Sequence, residues 1–144
     1  MSKFSGKIQL FTLPFPVELM QFYSRNGYKG KLKKSDQAWV VLDERGEVVA
    51  AARICRQGGE RILRGVWVDR PQRGQGLGTQ LLTFLAAEAL LEGCFCFPFV
   101  PLEKFYQRIG FLAVEPPSIY FQKLLSRYNA GVEQVMLMQF PSSQ

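Results

Sequence analysis

Residues 64–78 read RGVWVDRPQRGQGLG and place three glycines, Gly74, Gly76 and Gly78, between a β-type run and an apolar helical stripe. Glycine admits positive φ and lets backbone approach a ligand closely. The first N–H groups of the following helix lack internal partners. With the helix dipole they attract anions, a pyrophosphate above all. Arg70 and Arg73 add charge beside the turn. The alternative is a strand-to-helix turn with no ligand. A P-loop is excluded, because no GxxxxGK[ST] occurs. A dinucleotide site of the G-x-G-x-x-G kind is disfavoured, because the spacing is G-x-G-x-G and the turn follows several strands instead of the first.

The chain contains no histidine. This removes Ser-His-Asp and Cys-His arrangements and every histidine-ligated zinc site. A general base must be a carboxylate, water, Tyr, Lys or Cys. Cys94 and Cys96 stand two apart on a strand candidate and so face one way. With Cys55 as the one further thiol, they read as core packing and no metal site is expected.

Several elements must position the glycine turn. Residues 7–13 (KIQLFTL) alternate as a first strand, and Pro16 opens a helix with Val17, Met20 and Tyr23 or Ser24 near one face before Gly27. Residues 37–42, 48–55 and 61–68 are apolar β-rich runs separated by DERGE and RQGGE, which predicts an antiparallel meander. Leu77, Leu81, Leu85 and Ala89 mark a helix over residues 76–91, closed by Gly93. Residues 94–100 (CFCFPFV) form a short strand, with Pro98 leaving one edge unpaired. A helix ending at Gly110, strands in FLAV and VEQVMLMQF, and a helix or loop over residues 119–128 complete a mixed α/β order.

The stretch VWVDRPQ-RGQGLGTQLL resembles the acetyl-CoA signature of the GNAT N-acetyltransferases, core pattern [QR]-x-x-G-x-[GA], which Arg73, Gly76 and Gly78 fill. EKFYQRIGF, residues 103–111, is similar to the family's later FYxxxGF segment. Both blocks and the element order match, so the resemblance covers nearly the whole chain. It implies one acetyltransferase domain over residues 1–144. It also implies a mostly antiparallel mixed sheet of about seven strands, the fourth and fifth splayed, flanked by about four helices.

The resemblance further implies that the pantetheine arm of acetyl-CoA lies in the splay, bonded by the backbone of Val66, Trp67 and Val68. The turn Arg73, Gly74, Gln75, Gly76, Leu77, Gly78 and Thr79 would hold the pyrophosphate. Tyr106 would protonate the departing thiolate; the alternative is packing with Phe105 and Phe111. A strand bulge would aim a backbone N–H from Val66 or Trp67 at the thioester carbonyl, which a primary amine attacks directly. Many relatives carry a glutamate base where this chain has Arg64, and an asparagine where it has Val100 and Pro101. Glu60 and Asp69 fall at the ends of the strand, so no base is named. Trp67 would pack in the core or wall the acceptor pocket, and one of Cys94 and Cys96 would either pack or line the acyl channel. Tyr28 with Lys29, Lys31, Lys33 and Lys34 reads as a solvated basic loop or an acceptor-side lid.

With 144 residues, 47% hydrophobic and 21% charged, the chain is one globular domain. The net charge of +6 favours anionic ligands. Three cysteines and an N-terminus without a long apolar segment suit a cytoplasmic protein with no membrane span. The expected partner is a small-molecule or peptide amine, with the chain a monomer or homodimer. Two other classes remain: a non-catalytic CoA-binding regulatory module, motivated by Arg64, and a nucleic-acid-binding domain, which charge alone supports.

Overall fold

The apolar runs of the middle third pair into the centre of a seven-stranded sheet in a computed structural model that describes residues 6–142. The strands are β1 (Lys7–Phe11), β2 (Gln37–Leu42), β3 (Val48–Gln57), β4 (Glu60–Val68), β5 (Phe95–Cys96), β6 (Leu112–Ala113) and β7 (Met138–Gln139). Their order is β1-β2-β3-β4-β5-β7-β6. All neighbours are antiparallel except β4 and β5. Four α-helices flank the sheet: α1 (Val17–Arg25), α2 (Leu77–Ala87), α3 (Glu103–Ile109) and α4 (Ile119–Tyr128).

β3 lies between two long partners and is buried from Val48 to Cys55. Its side chains alternate between faces. Ala50, Ala52 and Ile54 pack with Leu77, Leu81, Leu82 and Leu85 of α2. Val48 and Ala51 pack with Leu19, Phe22 and Tyr23 of α1, and Cys55 packs with Phe121 of α4. Thus α2 and Tyr106 of α3 share one face, and α1 and α4 cover the other. Cys94 and Cys96 both enter the α2-side core, whereas Cys55 lies on the opposite side. Among the described residues, no cluster of three or more His, Cys, Asp or Glu is placed to hold a metal ion.

Two helix expectations change, and one left open is decided. The first helix buries Leu19, Phe22 and Tyr23, while Val17 and Met20 are half-exposed. Its short length satisfies either stripe, and the neighbouring strands select the bulkier one. The second helix stops at Ala87, because Ala89 takes a φ of 60° before Leu91 turns back into the core. Residues 119–128 are helical, capped by the Ser118 hydroxyl, which accepts from the Phe121 N–H at 3.2 Å.

Asp69 ties the end of β4 to α1. It accepts from Arg25 at 3.1 Å through both carboxylate oxygens and from the Asn26 amide at 2.9 Å. Burial disfavours its charged form and raises the pKa, but these donors outweigh burial and hold the carboxyl below the usual carboxylate range. A depressed folded value gives stability that is complete above the unfolded value, about 3.9, and lost as pH falls through the folded one. Asp69→Asn should therefore cost about 1 kcal/mol at pH 7, modest because Arg25 is largely solvated. In urea melts the gap between parent and variant should narrow as pH falls below about 3.9 and close once the folded-state carboxyl is protonated; a gap that does not narrow would assign the loss to packing.

Candidate functional site

β4 and β5 pair at the single register Ile62↔Phe95 among the described residues. Beyond it they part. Pro98 lacks an N–H, and its carbonyl instead accepts from Met136 at 3.0 Å, on the side away from β4. A cleft of about 1100 Å³ opens between the strands, walled by residues 63–68 of β4 and residues 96–99 beyond β5. It runs through the sheet. On the α2 face it is bounded by the glycine turn, Phe105 and Tyr106, and on the α1/α4 face by Tyr28, Lys29 and Tyr128.

The glycine turn has the expected geometry. Gly74 and Gly76 take φ of 84° and 79°, and a Cβ on either would meet no atom within 4 Å. Backbone with space above it is what a closely approaching ligand requires. Gly76 caps α2 in the left-handed conformation, and its carbonyl accepts the first helical bond, from Gln80 at 2.9 Å. The N–H groups of Leu77, Gly78 and Thr79 thus precede the helical ladder and point out of the helix start. Arg73 is fixed alongside: its Nε donates to the Val68 carbonyl at 3.0 Å, and its guanidinium sits 5.6 Å from the Trp67 ring. Arg70 is exposed in a 3-10 turn and does not line the cleft, so Arg73 alone supplies the turn's lining charge.

β4 is bulged where the cleft narrows. Trp67 pairs with Ala51 and Arg64 with Arg53, so Gly65 and Val66 together face Ala52. Gly65 has a φ of 60°, and its carbonyl accepts the Tyr23 hydroxyl at 2.7 Å. A Cβ there would come within 2.9 Å of the Tyr23 hydroxyl and 3.0 Å of the Tyr28 hydroxyl. Glycine is required by both conformation and space. The Tyr28 hydroxyl accepts from the Arg53 Nε at 3.0 Å and Nη2 at 2.7 Å, and Arg53 also pairs with buried Asp36 at 2.8 Å. Burial opposes the Arg53 charge, while Tyr28 and Asp36 hold it. This network anchors the start of the basic loop. Tyr28, Lys29 and Gly30 wall the cleft, and Leu32 packs against the α1-side core.

The strand residues Val66, Trp67 and Val68 line the cleft, as do Arg73, Gly74, Gly76, Leu77, Gly78 and Thr79 of the turn. Gln75 stands exposed in the same turn, outside the lining. Tyr106 also reaches the cleft wall. Its ring makes edge contacts with Phe105 at 5.0 Å and Phe111 at 5.8 Å. Burial pushes its phenol well above the ordinary tyrosine value, so the proton is retained at neutral pH. Cys96 lines the cleft as well, its thiol pushed up by burial. Among the described residues no carboxylate is in the lining, and neither Glu60 nor Asp69 reaches it.

A family model for the acetyltransferase (GNAT) domain matches residues 34–112, more than half of the chain. The chain belongs to the GNAT family. The matched segment runs from the basic loop to β6 and so spans the glycine turn, both walls of the cleft and Tyr106. Membership makes the protein an N-acetyltransferase and supports a CoA-linked acyl donor. Solved GNAT-like structures agree in fold. The ribosomal-protein-S18-alanine N-acetyltransferase of Escherichia coli superposes with a TM-score of 0.71 at 16% identity, over 97% of this chain and 96% of that one. An acyl-CoA N-acyltransferase from Pseudomonas aeruginosa gives 0.66 at 19% identity, over 94% and 99%. Escherichia coli ElaA gives 0.67 at 17% identity, over 94% and 99%. Among curated proteins, no sequence match is found. Likeness at these identities extends to the fold alone, and no helix among the described residues is long and apolar enough to cross a membrane.

Sequence reasoning passed over Gly65 as a requirement and over the Tyr28–Arg53–Asp36 network. Both left signals. A glycine inside an otherwise apolar strand marks a bulge or a close backbone approach. An arginine inside AARICR must find a partner if the strand is central.

Proposed function

We propose that this chain is a single acetyltransferase domain that transfers the acetyl group of acetyl-CoA to a primary amine by direct attack. One observation carries the reading: the cleft between the splayed strands ends at a helix start whose positive-φ glycines leave open space above bare backbone. That arrangement suits a long ligand with an anionic end. The first-turn N–H groups of α2 and Arg73 would bind the diphosphate, and the backbone of Val66, Trp67 and Val68 would bond the extended arm.

Bound acetyl-CoA supplies an activated acyl carbon and a thiolate leaving group. The residues of the chain position and manage protons. The bulge at Gly65 and Val66 takes backbone out of the regular ladder and presents an N–H to charge developing on the carbonyl oxygen. In the overall exchange a C–N bond forms and a C–S bond breaks. The nitrogen loses one proton, and the Tyr106 hydroxyl delivers one to sulfur and is reprotonated from solvent. Since no carboxylate among the described residues lines the cleft, water takes the proton that the attacking nitrogen loses, and the amine enters as its neutral form or gives a first proton to water as well. The three free, buried cysteines suit a cytoplasmic setting.

Acetyl-CoA at about a hundred times its dissociation constant should add roughly 2.7 kcal/mol to the folded state. The melting midpoint should rise by about 9 °C for a chain of this size. Absence of both a rise and calorimetric heat would sink the donor assignment.

A further inference from the structure

Resting on this acetyl-transfer reading, we infer that the acceptor is an amine carrying a small oxyanion, of carboxylate type, near its nitrogen, and that Arg64 binds that oxyanion. The charged residues lining the cleft are Lys29, Arg64 and Arg73, all positive. Arg73 belongs to the glycine turn on the α2 side. Arg64 lies across the sheet, where the cleft opens between α1 and α4.

The Arg64 guanidinium is held in a built frame. Its Nη2 donates to the Tyr128 hydroxyl at 2.8 Å and to the Gln57 side-chain carbonyl at 3.1 Å. Its plane sits 5.6 Å from the Phe97 ring centre and 5.5 Å from that of Tyr128. Gln57 is itself oriented, since its amide donates to the Tyr120 hydroxyl at 2.9 Å. One nitrogen is thus engaged, and Nε and Nη1 carry no bond to the described residues. The ion pairs among the described residues are Arg25–Asp69 and Arg53–Asp36, so Arg64 has no carboxylate of its own. A half-buried guanidinium fixed by neutral partners, with donors to spare and facing a ligand cleft, is matched to a carboxylate's fork.

The same charge excludes other acceptors. A polyamine or a multiply aminated sugar would bring ammonium groups toward Arg64 and Lys29 with no anion to receive them. Positive charge nearby also disfavours the protonated amine. The oxyanion draws the acceptor in, and Arg64 and Lys29 raise the fraction of its nitrogen that is neutral. This accounts for an arginine where relatives often carry a glutamate base.

The test is an acceptor panel with acetyl-CoA, read by free thiol release. It contains the L-amino acids, their primary amides, phosphoethanolamine, spermidine and an aminoglycoside. Amino acids should exceed their amides by at least about tenfold in kcat/KM, with the difference in KM. Phosphoethanolamine tells a phosphate acceptor from a carboxylate one, and its preference over every amino acid would overturn the carboxylate assignment. Arg64→Gln should lower kcat/KM for amino acids by about tenfold or more, leave the amides within about twofold and leave acetyl-CoA affinity unchanged. Arg64→Lys should retain part of the preference. Equal use of amides and amino acids, or better use of spermidine, would overturn the assignment by the parent protein alone, whatever the variants do. Acetyl-CoA binding without acetylation of any anionic amine would overturn the acceptor class and leave the donor reading standing. Failure to bind acetyl-CoA would remove both.

Discussion

Gly76→Asp should abolish most acetyl-CoA binding while leaving a folded protein. The two parts of this expectation have separate causes. In the folded chain Gly76 has a φ of 79°, which an L side chain occupies at a cost of roughly 1–2 kcal/mol. A carboxylate at the start of α2 returns roughly 0.3–1 kcal/mol through the helix dipole. No atom lies within 4 Å of the new Cβ, so there is no clash to add. The net effect on stability is small. Toward a diphosphate the effect is large, because the carboxylate would occupy the space and invert the local charge. Two like charges at about 4 Å repel by about 4 kcal/mol at an effective dielectric of about 20. Salt and exposure reduce that figure. A loss of about a hundredfold, about 2.7 kcal/mol, is the conservative expectation. Gly76→Asn has nearly the same size and tolerance of the left-handed conformation, without the charge. Calorimetry should rank affinity parent, Asn, Asp. A folded Asp variant that binds as the parent does would place the diphosphate elsewhere.

The glycine turn was legible in the sequence because its physics is local. Positive φ, bare backbone and a helix start are consequences of residue type and order over a few positions. The meander was legible for the same reason, and β2 matches the expected residues from Gln37 to Leu42. Elements whose length is set by tertiary contacts were less so. The run CFCFPFV contains a two-residue strand, because Pro98 and the opening of the cleft end its pairing with β4. VEQVMLMQF likewise contributes only Met138–Gln139.

The acceptor side was hardest to read, since its parts are distant in sequence. Arg64 meets Gln57 seven residues away and Tyr128 sixty-four away. Tyr28 meets Arg53 across twenty-five. Neither helical nor strand periodicity encodes such meetings. The basic loop shows the contrast within one segment. Lys31, Lys33 and Lys34 are exposed, as a solvated run predicts, while Tyr28 is drawn inward by a buried charge on β3. The substitution of Arg64 for glutamate was visible at once. Its frame of Phe97, Gln57 and Tyr128 required the fold.

Tyr106→Phe should lower turnover by about a hundredfold while changing acetyl-CoA affinity little. The ring is set by edge contacts with Phe105 and Phe111, which phenylalanine keeps. Burial, not a hydrogen bond, dominates the surroundings of the hydroxyl, so its removal orphans no partner and stability should be nearly unchanged. What is lost is a proton donor on the cleft wall. Burial keeps that proton on at neutral pH, so the hydroxyl has a proton to give and is excluded as a base. General acid help of about a hundredfold corresponds to about 2.7 kcal/mol of barrier. Because the donor meets charge only as the C–S bond breaks, the loss should fall on the rate constant at saturating substrates and leave donor binding intact. It should shrink with an acyl donor whose thiol has a lower pKa, since that leaving group needs less protonation. Stopped-flow or quench measurements must establish that chemistry limits the turnover compared. An unchanged chemical step with both donors would make Tyr106 a packing residue and move the proton to water in the cleft.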